Sequence, residues 1–295
     1  MPSLKEVQTK IGAVKKTKQI TKAMNMVATS RLRGARNNME GFRPYAGKFE
    51  EVLGSLAGKM GEEADILFVP RDEVKKNHLV LCTSDRGLCG GFNVNLIEKA
   101  SSFMNKKIGE GIKISCTNFG KRGRDWCKKN DATIIDEYIG IVGTNFGFNV
   151  SANAGRKLVE GFLAGDYDEV YVIYSEFVSM GRQTPVIKQL LPIPPIEIKE
   201  DEAENVEFMA EHICEPSVES LLGSLLPKSV NVKLHSALLE TSTSEHAARM
   251  AAMDNATSAC NDMVENLTLA YNKARQASIT ADLMDIVGGA EALKG

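Results

Sequence analysis

The chain of 295 residues is poor in the side chains that most often carry chemistry. It contains four histidines, one tryptophan and six cysteines. None of the histidines stands in an HExxH motif or beside a serine or cysteine in a recognisable nucleophile setting. The cysteines form no CxxC pair and no zinc-finger spacing with histidine, so we expect reduced, mostly buried thiols. The sequence therefore predicts no catalytic residue and no metal site.

Long apolar runs are absent as well. A membrane-spanning helix needs about 20 consecutive apolar residues, and the chain has no such stretch. The opening residues MPSLK lead into charged residues instead of an apolar segment, so we expect no signal peptide. Any association with a membrane is therefore predicted to be indirect.

The loop TSDRGLCGGFN at residues 83–93 lies between a predicted strand and a predicted helix, where α/β folds place ligands. Its glycines do not form GxGxxG, and the chain has no GxxxxGK[ST] sequence. We interpret the loop as a tight structural turn in which Asp85 caps a helix and the glycines adopt positive φ angles. A nucleotide site is the disfavoured alternative, and we predict no cofactor.

Charge is distributed unevenly along the chain, although the net charge is only -2. Residues 1–36 carry nine basic side chains and one acidic side chain, a net charge of +8. Residues 215–295 carry ten acidic and six basic side chains, a net charge of -4. The basic segment favours an acidic partner, which could be protein, nucleic acid or an anionic membrane face. A solvated helix face is the alternative.

The N-terminal segment, residues 1–60, has the apolar spacing of a coiled-coil helix from Leu4 to Met60. The apolar positions are Leu4, Val7, Ile11, Val14, Ile20, Met24, Val27, Leu32, Ala35, Met39, Phe42, Ala46, Phe49, Leu53, Leu56 and Met60. The phase slips after Val14, which predicts a stutter in the seam. Pro44 predicts a kink or an interruption near residues 42–43.

The C-terminal segment, residues 210–295, is also helical, with a break predicted at Pro227 and the long part starting near Val230. Its predicted seam consists of Ala248, Ala252, Ala256, Ala259, Met263, Leu267, Ala270, Ala274, Ala277 and Ala281. Small seam residues allow two helix axes to approach closely. An alanine-rich helix chosen only for helix stability is the alternative.

Strand and helix patterns alternate between the two ends, in residues 75–195. Predicted strands are 78–83, 112–117, 132–135 and 169–177, with 185–191 as a pairing candidate; predicted helices are 93–106, 122–129 and 151–163. This alternation is typical of a mostly parallel sheet covered by helices. We predict an α/β fold plus a long α-helical coiled coil: an antiparallel pair of terminal helices with a central Rossmann-like α/β domain. An acidic linker is expected at 197–207.

Three stretches resemble the gamma subunit of F-type ATP synthases: IGAVKKTKQITKAMNMVATSRLRGA at 11–35, the turn at 83–93, and residues 245–293. The similarity covers essentially the whole chain. The C-terminal signature of that family is matched from Ile279 and Thr280 to Gly289 and Ala290, with Asp282 where the family usually has glutamate. The chain lacks the cysteine pair inserted in chloroplast relatives, and it looks bacterial.

The resemblance implies a non-catalytic central rotor shaft that couples proton flow to the catalytic beta subunits. The implied partners are three alpha and three beta subunits, the epsilon subunit and the membrane c-ring, with no nucleic acid and no direct membrane insertion. The implied location is peripheral, on the cytoplasmic face of the bacterial inner membrane.

The resemblance also assigns contact residues. Those implied to meet the beta subunits are Arg31, Arg33, Arg36, Arg275, Gln276, Thr280 and Asp282. Those implied to form an apolar bearing tip are Ile286, Val287, Ala290 and Leu293. Those implied to contact the epsilon subunit or the c-ring, at the foot, are Arg86, Cys89 and Asn93.

Two other classes of protein stay open on sequence alone. One is an enzyme whose α/β domain binds a nucleotide, which would show saturable nucleotide binding by the isolated chain. The other is a nucleic-acid-binding helical arm, whose affinity would fall steeply with salt. The missing motifs and aromatic platforms disfavour both.

Overall fold

Two long helices begin and end the described chain: α1 spans Leu4–Ala57 and α5 spans Val218–Ala292. The computed structural model describes residues 4–57, 66–71, 73–194 and 217–292. Both helices run through the prolines at which we predicted interruptions, Pro44 and Pro227. A proline removes one backbone N–H from a helix, and the packing of the surrounding turns outweighs that loss here.

The described residues form two compact units, one made of those up to Ala28 and from Met250 onward, the other of Thr29–Arg249. In the first unit the helices run antiparallel: the hydroxyl oxygens of Thr21 and Thr257 lie 2.8 Å apart, and Asn25 Nδ2 donates to the Met250 carbonyl at 2.9 Å. The division into 1–60, 75–195 and 210–295 remains a prediction.

The seam of α1 shows no stutter, so that prediction is wrong. Buried and half-buried positions continue in steps of three and four through Lys18, Thr21, Asn25 and Ala28, and then through the second unit. Ile20, which the predicted slip placed in the seam, is 59% exposed. The polar side chains at 21 and 25 form hydrogen bonds across the helix pair, so a search for apolar residues alone passes over them.

The seam of α5 also differs from the alanine stripe. Its buried and half-buried positions from 252 onward are Ala252, Met253, Ala256, Thr257, Cys260, Val264, Leu267, Tyr271 and Ala274. The predicted seam members Ala259, Met263, Ala270, Ala277 and Ala281 are exposed. The larger seam residues keep the alternating spacing of three and four residues that a helix pair needs. The exposed alanines favour helix formation instead, which was the other interpretation of the alanine-rich pattern.

A five-stranded sheet occupies the second unit. Its strands are β1 (Lys76–Cys82), β2 (Lys113–Phe119), β3 (Thr133–Tyr138), β4 (Glu169–Ser179) and β5 (Arg182–Leu191). The order is β3-β2-β1-β4-β5, with the first four parallel and β5 antiparallel to β4. The helices between strands are α2 (Phe92–Gly109), α3 (Lys121–Lys129) and α4 (Phe148–Ala164). Each predicted element is present, and residues 185–191 do pair with β4.

Alternation along β1 creates two cores. Leu79 and Leu81 pack with residues of α2 and α3, while Val80 and Cys82 pack with residues of α4 and with parts of α1 and α5. A parallel strand covered on both faces is apolar at successive positions, as β1 is. The acidic linker predicted at 197–207, and the predicted contact residues Met60 and Leu293, lie outside the described residues.

His78 on β1 is buried in the sheet and stacks on Tyr167 with ring centroids 4.7 Å apart. Its Nδ1 lies 2.7 Å from the Ser115 hydroxyl oxygen, and its Nε2 lies 2.9 Å from that of Thr117. Burial lowers the pKa of His78 from 6.5 to about 4. Between about pH 4 and pH 6.5 the imidazole of His78 is therefore neutral in the folded protein and protonated in the unfolded protein.

The low pKa of His78 predicts a pH-dependent stability. Because the folded-state pKa lies below the unfolded one, the unfolded protein binds a proton at His78 more readily below pH 6.5. The free energy of unfolding should therefore be highest above pH 6.5 and fall by up to about 3 kcal/mol toward pH 4. Burial also lowers the pKa of His235 to about 4, so His235 adds a comparable pH dependence and His78→Gln should remove about half of the combined slope. Urea unfolding between pH 4 and 7 measures it. Tyr167→Phe is the control, because it removes a hydroxyl that donates to the Leu158 carbonyl without titrating in this range; an unchanged slope in His78→Gln contradicts the prediction.

Candidate functional site

The turn at residues 83–93 is held together from inside. Asn93 Oδ1 accepts from the backbone N–H of Ser84 at 3.0 Å, and Asn93 Nδ2 donates to the Ser84 hydroxyl at 2.8 Å. That hydroxyl donates to the Arg86 carbonyl at 2.6 Å. Cys89 is 2% exposed, and burial raises the pKa of its thiol. Asn93 and Cys89 therefore shape the turn.

Asp85 ties this turn to two neighbouring loops. Its Oδ1 accepts from the backbone N–H of Lys121, the first residue of α3, and its Oδ2 from that of Gly140, both at 2.9 Å. Asp85 therefore satisfies the first N–H of α3, whereas α2, the helix that follows this turn, has no side-chain cap hydrogen bond at its N-cap residue Gly91. Of the glycines in the turn, only Gly90 has a positive φ (59°), together with the non-glycine Leu88 (66°). At Gly87 a Cβ would lie 2.7 Å from Nη2 of Arg122, an exposed and flexible side chain that can move aside.

Helix α5 is fastened to the same turn by an ion-pair cluster that the sequence analysis missed. Arg249 Nη1 donates to the Gly87 carbonyl at 2.7 Å, and Arg249 Nε donates to Glu245 Oε1 at 3.0 Å. His246 Nδ1 lies 2.9 Å from Glu245 Oε2, at ion-pair distance but without the alignment of a hydrogen bond. The spacing of four residues between Glu245 and Arg249 was the available signal.

Glu245 is a buried carboxylate with two cationic or polar neighbours. Burial acts to raise the pKa of Glu245, but His246 and Arg249 outweigh it, so the pKa lies below its ordinary value. The side chains of Glu245 and Arg249 are 5% and 12% exposed. A charge pair this well covered depends on both partners, because removing one leaves the other buried and uncompensated.

The outer surface of the turn is small and amphipathic. Of the predicted foot residues Arg86, Cys89 and Asn93, only Arg86 is exposed. The neighbouring Leu88, which the sequence analysis did not single out, is 66% exposed. The surface of this turn therefore presents the guanidinium of Arg86 beside the apolar side chain of Leu88, while Cys89 and Asn93 are buried.

The three arginines of α1 are exposed. Arg36 Nε lies 2.7 Å from Glu40 Oε1 in a pair whose side chains are 45% and 48% exposed. Arg31 and Arg33 form no ion pair within 4 Å with any residue of the described ranges. Such exposed charges contribute little to folding, so they are available to a partner.

The last turns of α5 expose every side chain that the sequence analysis assigned to them within the described residues: Arg275, Gln276, Thr280, Asp282, Ile286, Val287 and Ala290. The Thr280 hydroxyl donates to the Gln276 carbonyl at 2.9 Å, which leaves its oxygen able to accept. Ile286 is 69% exposed and Val287 54%. Isolated exposed apolar residues are common, but a run at one helix end is typical of a surface that meets something else.

The described part of the chain assembles no group of three or more metal-binding side chains. Nor does any helix within it carry an apolar stretch of the length and hydropathy that a bilayer crossing demands.

Comparison with known proteins identifies the family. A family described as ATP synthase matches residues 3–293. A curated ATP synthase gamma chain from Desulfosudis oleivorans is 65% identical, and one from Desulforapulum autotrophicum is 60% identical. The alignments cover 100% and 99% of this chain and 100% of each relative. The chain belongs to the ATP synthase gamma-chain family.

Solved structures share the fold at low sequence identity. A chain of the Euglena gracilis mitochondrial ATP synthase (OSCP/F1/c-ring, rotational state 3) superimposes with a TM-score of 0.65 at 18% identity, over 98% of this chain and 94% of that chain. A chain of the rotor of the same enzyme gives a TM-score of 0.64 at 20% identity. The α/β plus coiled-coil fold class is thereby confirmed.

Family membership also confirms the predicted role. The chain is a non-catalytic subunit, the central rotor shaft of an F-type ATP synthase, and it is peripheral to the membrane part of that complex. Catalysis belongs to other subunits, in agreement with the absence of a predicted active site. The nucleotide-binding enzyme and the nucleic-acid-binding arm are therefore set aside.

Proposed function

We propose that this shaft biases the beta-subunit nucleotide sites through two exposed sets of residues. One set is the basic stripe Arg31, Arg33 and Arg36 on α1, which meets acidic loops at the bottom of the beta subunits. The other is Arg275, Gln276, Thr280 and Asp282 on α5, which forms hydrogen bonds to the beta subunits higher up. The supporting observation is that the chain itself leaves all seven side chains exposed.

The asymmetry of the shaft produces the coupling in this proposal. Three equivalent beta subunits surround a shaft without threefold symmetry, so each meets a different set of side chains at any moment. A contact shifts a conformational equilibrium only by its difference in energy between the two states, about 1.4 kcal/mol per tenfold. Moving a site from 1:99 to 99:1 takes about 5.5 kcal/mol, so several contacts must change together.

The ends of the chain have different tasks in the proposal. Ile286, Val287, Ala290 and Leu293 form a bearing tip, where apolar contacts lack the directional bonds that would resist turning. Arg86 with Leu88 forms the foot that contacts the epsilon subunit or the c-ring. The proposed partners are three alpha and three beta subunits, epsilon and the c-ring, on the cytoplasmic face of the bacterial inner membrane.

Arg275→Ala tests the α5 set. Arg275 is exposed and forms no ion pair within 4 Å in the described part of the chain, so its removal should leave the fold intact. A hydrogen bond to a charged group contributes about 1.5–3 kcal/mol. We therefore expect gradient-driven ATP synthesis by the reconstituted complex in vesicles to fall about tenfold, with assembly unchanged.

The matched control is Lys273→Ala, which removes an exposed charge from the same helix but outside the proposed set. We expect it to synthesise ATP at the parental rate. If Arg275→Ala does the same, or if both variants lose activity equally, the α5 set does not carry the coupling.

A further inference from the structure

A cavity of about 520 Å³ lies in the second unit, between α1, α5 and the β4–β5 edge of the sheet. Its apolar wall consists of Val172, Leu190, Pro194, Val232 and Ala237. Small-molecule sites typically have volumes of about 300–1,000 Å³ and an apolar wall with a few polar groups, and this cavity has both properties. None of the coupling residues discussed above lines it.

Lys233 of α5 lines this cavity without a close anionic partner. Among the described residues no carboxylate lies within 4 Å of its ammonium, and no hydrogen bond involves that group. Burial lowers the pKa of Lys233 from its ordinary value; Glu50 acts in the opposite direction, and Lys188 adds to the lowering. A half-buried ammonium beside an apolar wall, with no carboxylate in contact, can pair with the anionic group of a ligand.

Glu240 presents an unsatisfied oxygen to the same cavity. Its Oε2 is buried and has no hydrogen-bond partner. Burial is the main cause that raises the pKa of Glu240, so the carboxyl group is poorly compensated where it lies. Buried polar atoms are rarely left unpaired, and a hydroxyl donor reaching this oxygen would remove the deficit.

Two further cations complete the electrostatics of the cavity. Arg43 and Lys188 also line it, and Lys188 is partly neutralised by Glu176 at 3.8 Å. With Lys233, the cavity has three basic side chains against the two acidic ones, Glu50 and Glu240. Glu176 offsets this excess, so the position for an anionic group is the local one beside Lys233, whose ammonium has no carboxylate within 4 Å among the described residues.

We propose that this cavity binds a small hydroxylated aromatic carboxylate. The carboxylate of the ligand pairs with the Lys233 ammonium, the ring packs on Val172, Leu190 and Val232, and the hydroxyl donates to Glu240 Oε2. No covalent step is involved. The site goes beyond the shaft function, and the ATP-synthesis result for Arg275→Ala does not bear on it.

The test uses 3-(4-hydroxyphenyl)propionate as the probe and the purified full-length chain, with binding followed by calorimetry or ligand-observed NMR. We expect saturable binding with a Kd in the millimolar range or tighter. Lys233→Gln should weaken it about tenfold, Lys233→Arg should retain it, and Glu240→Gln should weaken it several-fold, because the hydroxyl of the probe then loses its charged acceptor. Lys106→Gln, which removes an exposed lysine of α2, should have no effect.

Two analogues separate the parts of the proposal. The neutral amide of the probe should bind at least tenfold more weakly, and 3-phenylpropionate, which lacks the hydroxyl, several-fold more weakly. Absence of saturable binding below about 10 mM, undiminished binding by Lys233→Gln, or equal binding of the amide each overturns the site. Thermal melting shows whether each variant is folded. If Lys233→Gln is unfolded, Lys233→Arg and the neutral amide still test whether a cation at residue 233 binds the carboxylate.

Discussion

Replacing Arg249 by alanine should lower the free energy of unfolding by about 3–5 kcal/mol, which is the cost of breaking a buried ion pair from one side. Arg249 holds Glu245 and the Gly87 carbonyl at once, and both charged side chains are nearly covered. Without the guanidinium, Glu245 remains buried with only His246 beside it. Urea unfolding of the full-length chain measures the loss.

Arg36→Ala is the matched control for this prediction. It removes an arginine that also pairs with a glutamate four residues away, but in an exposed pair. The expected cost is about 0–1 kcal/mol. The double variant Arg249→Ala with Glu245→Gln should recover part of the loss, because the uncompensated charge is gone. Equal costs for Arg249→Ala and Arg36→Ala would show that burial of the pair does not matter.

The Arg249 cluster also has a consequence for the shaft. It is the described side-chain link between α5 and the turn that carries Arg86 and Leu88. A loosened turn would transmit force to a partner poorly even where the chain stays folded. The Arg249→Ala complex, assembled at a temperature where it is folded, should therefore hydrolyse ATP with reduced proton pumping.

The sequence predicted the fold class because its signals are periodic. The alternation of strands and helices, and the apolar residues spaced three and four apart in the two long helices, stay recognisable even where single residues depart from the pattern. Each strand and helix of the α/β part lies within a few residues of its predicted bounds. The errors occurred where polar residues replace apolar ones in a seam. Thr21 and Asn25 form hydrogen bonds to groups on α5, which no local pattern of α1 displays.

The candidate site was less predictable for a related reason. Asn93 gives no sign of burial in the sequence, yet the turn folds over it and its amide binds Ser84 and Cys89. Arg249 is 162 residues away from the carbonyl that it binds, so its role depends on tertiary structure. The exposed residues at 275–290 were assigned through family resemblance, and the structure adds that the chain leaves them uncovered.

Replacing Gly120 by alanine should be the most damaging single-methyl change in the α/β sheet. Gly120 precedes α3 with φ of 102°, and a Cβ there would lie 2.1 Å from the Thr83 carbonyl oxygen. Its N–H also donates to the Tyr138 carbonyl at 2.9 Å, so the backbone cannot move away without losing that bond. We expect a loss of more than about 4 kcal/mol, in the exceptional range for point changes. Soluble yield and urea unfolding measure it.

Gly41→Ala isolates the cause of that loss. Gly41 lies within α1, and nothing lies within 4 Å of the Cβ it would gain. Alanine is favoured over glycine inside a helix by about 1 kcal/mol, so this variant should be more stable than the parent. The same methyl group thus has opposite effects, because at residue 120 it meets a backbone oxygen in a conformation that side chains disfavour. If Gly120→Ala unfolds within about 1 kcal/mol of the parent, the contact between β1 and the start of α3 is looser than its geometry implies, and the turn at 83–93 is not anchored from that side.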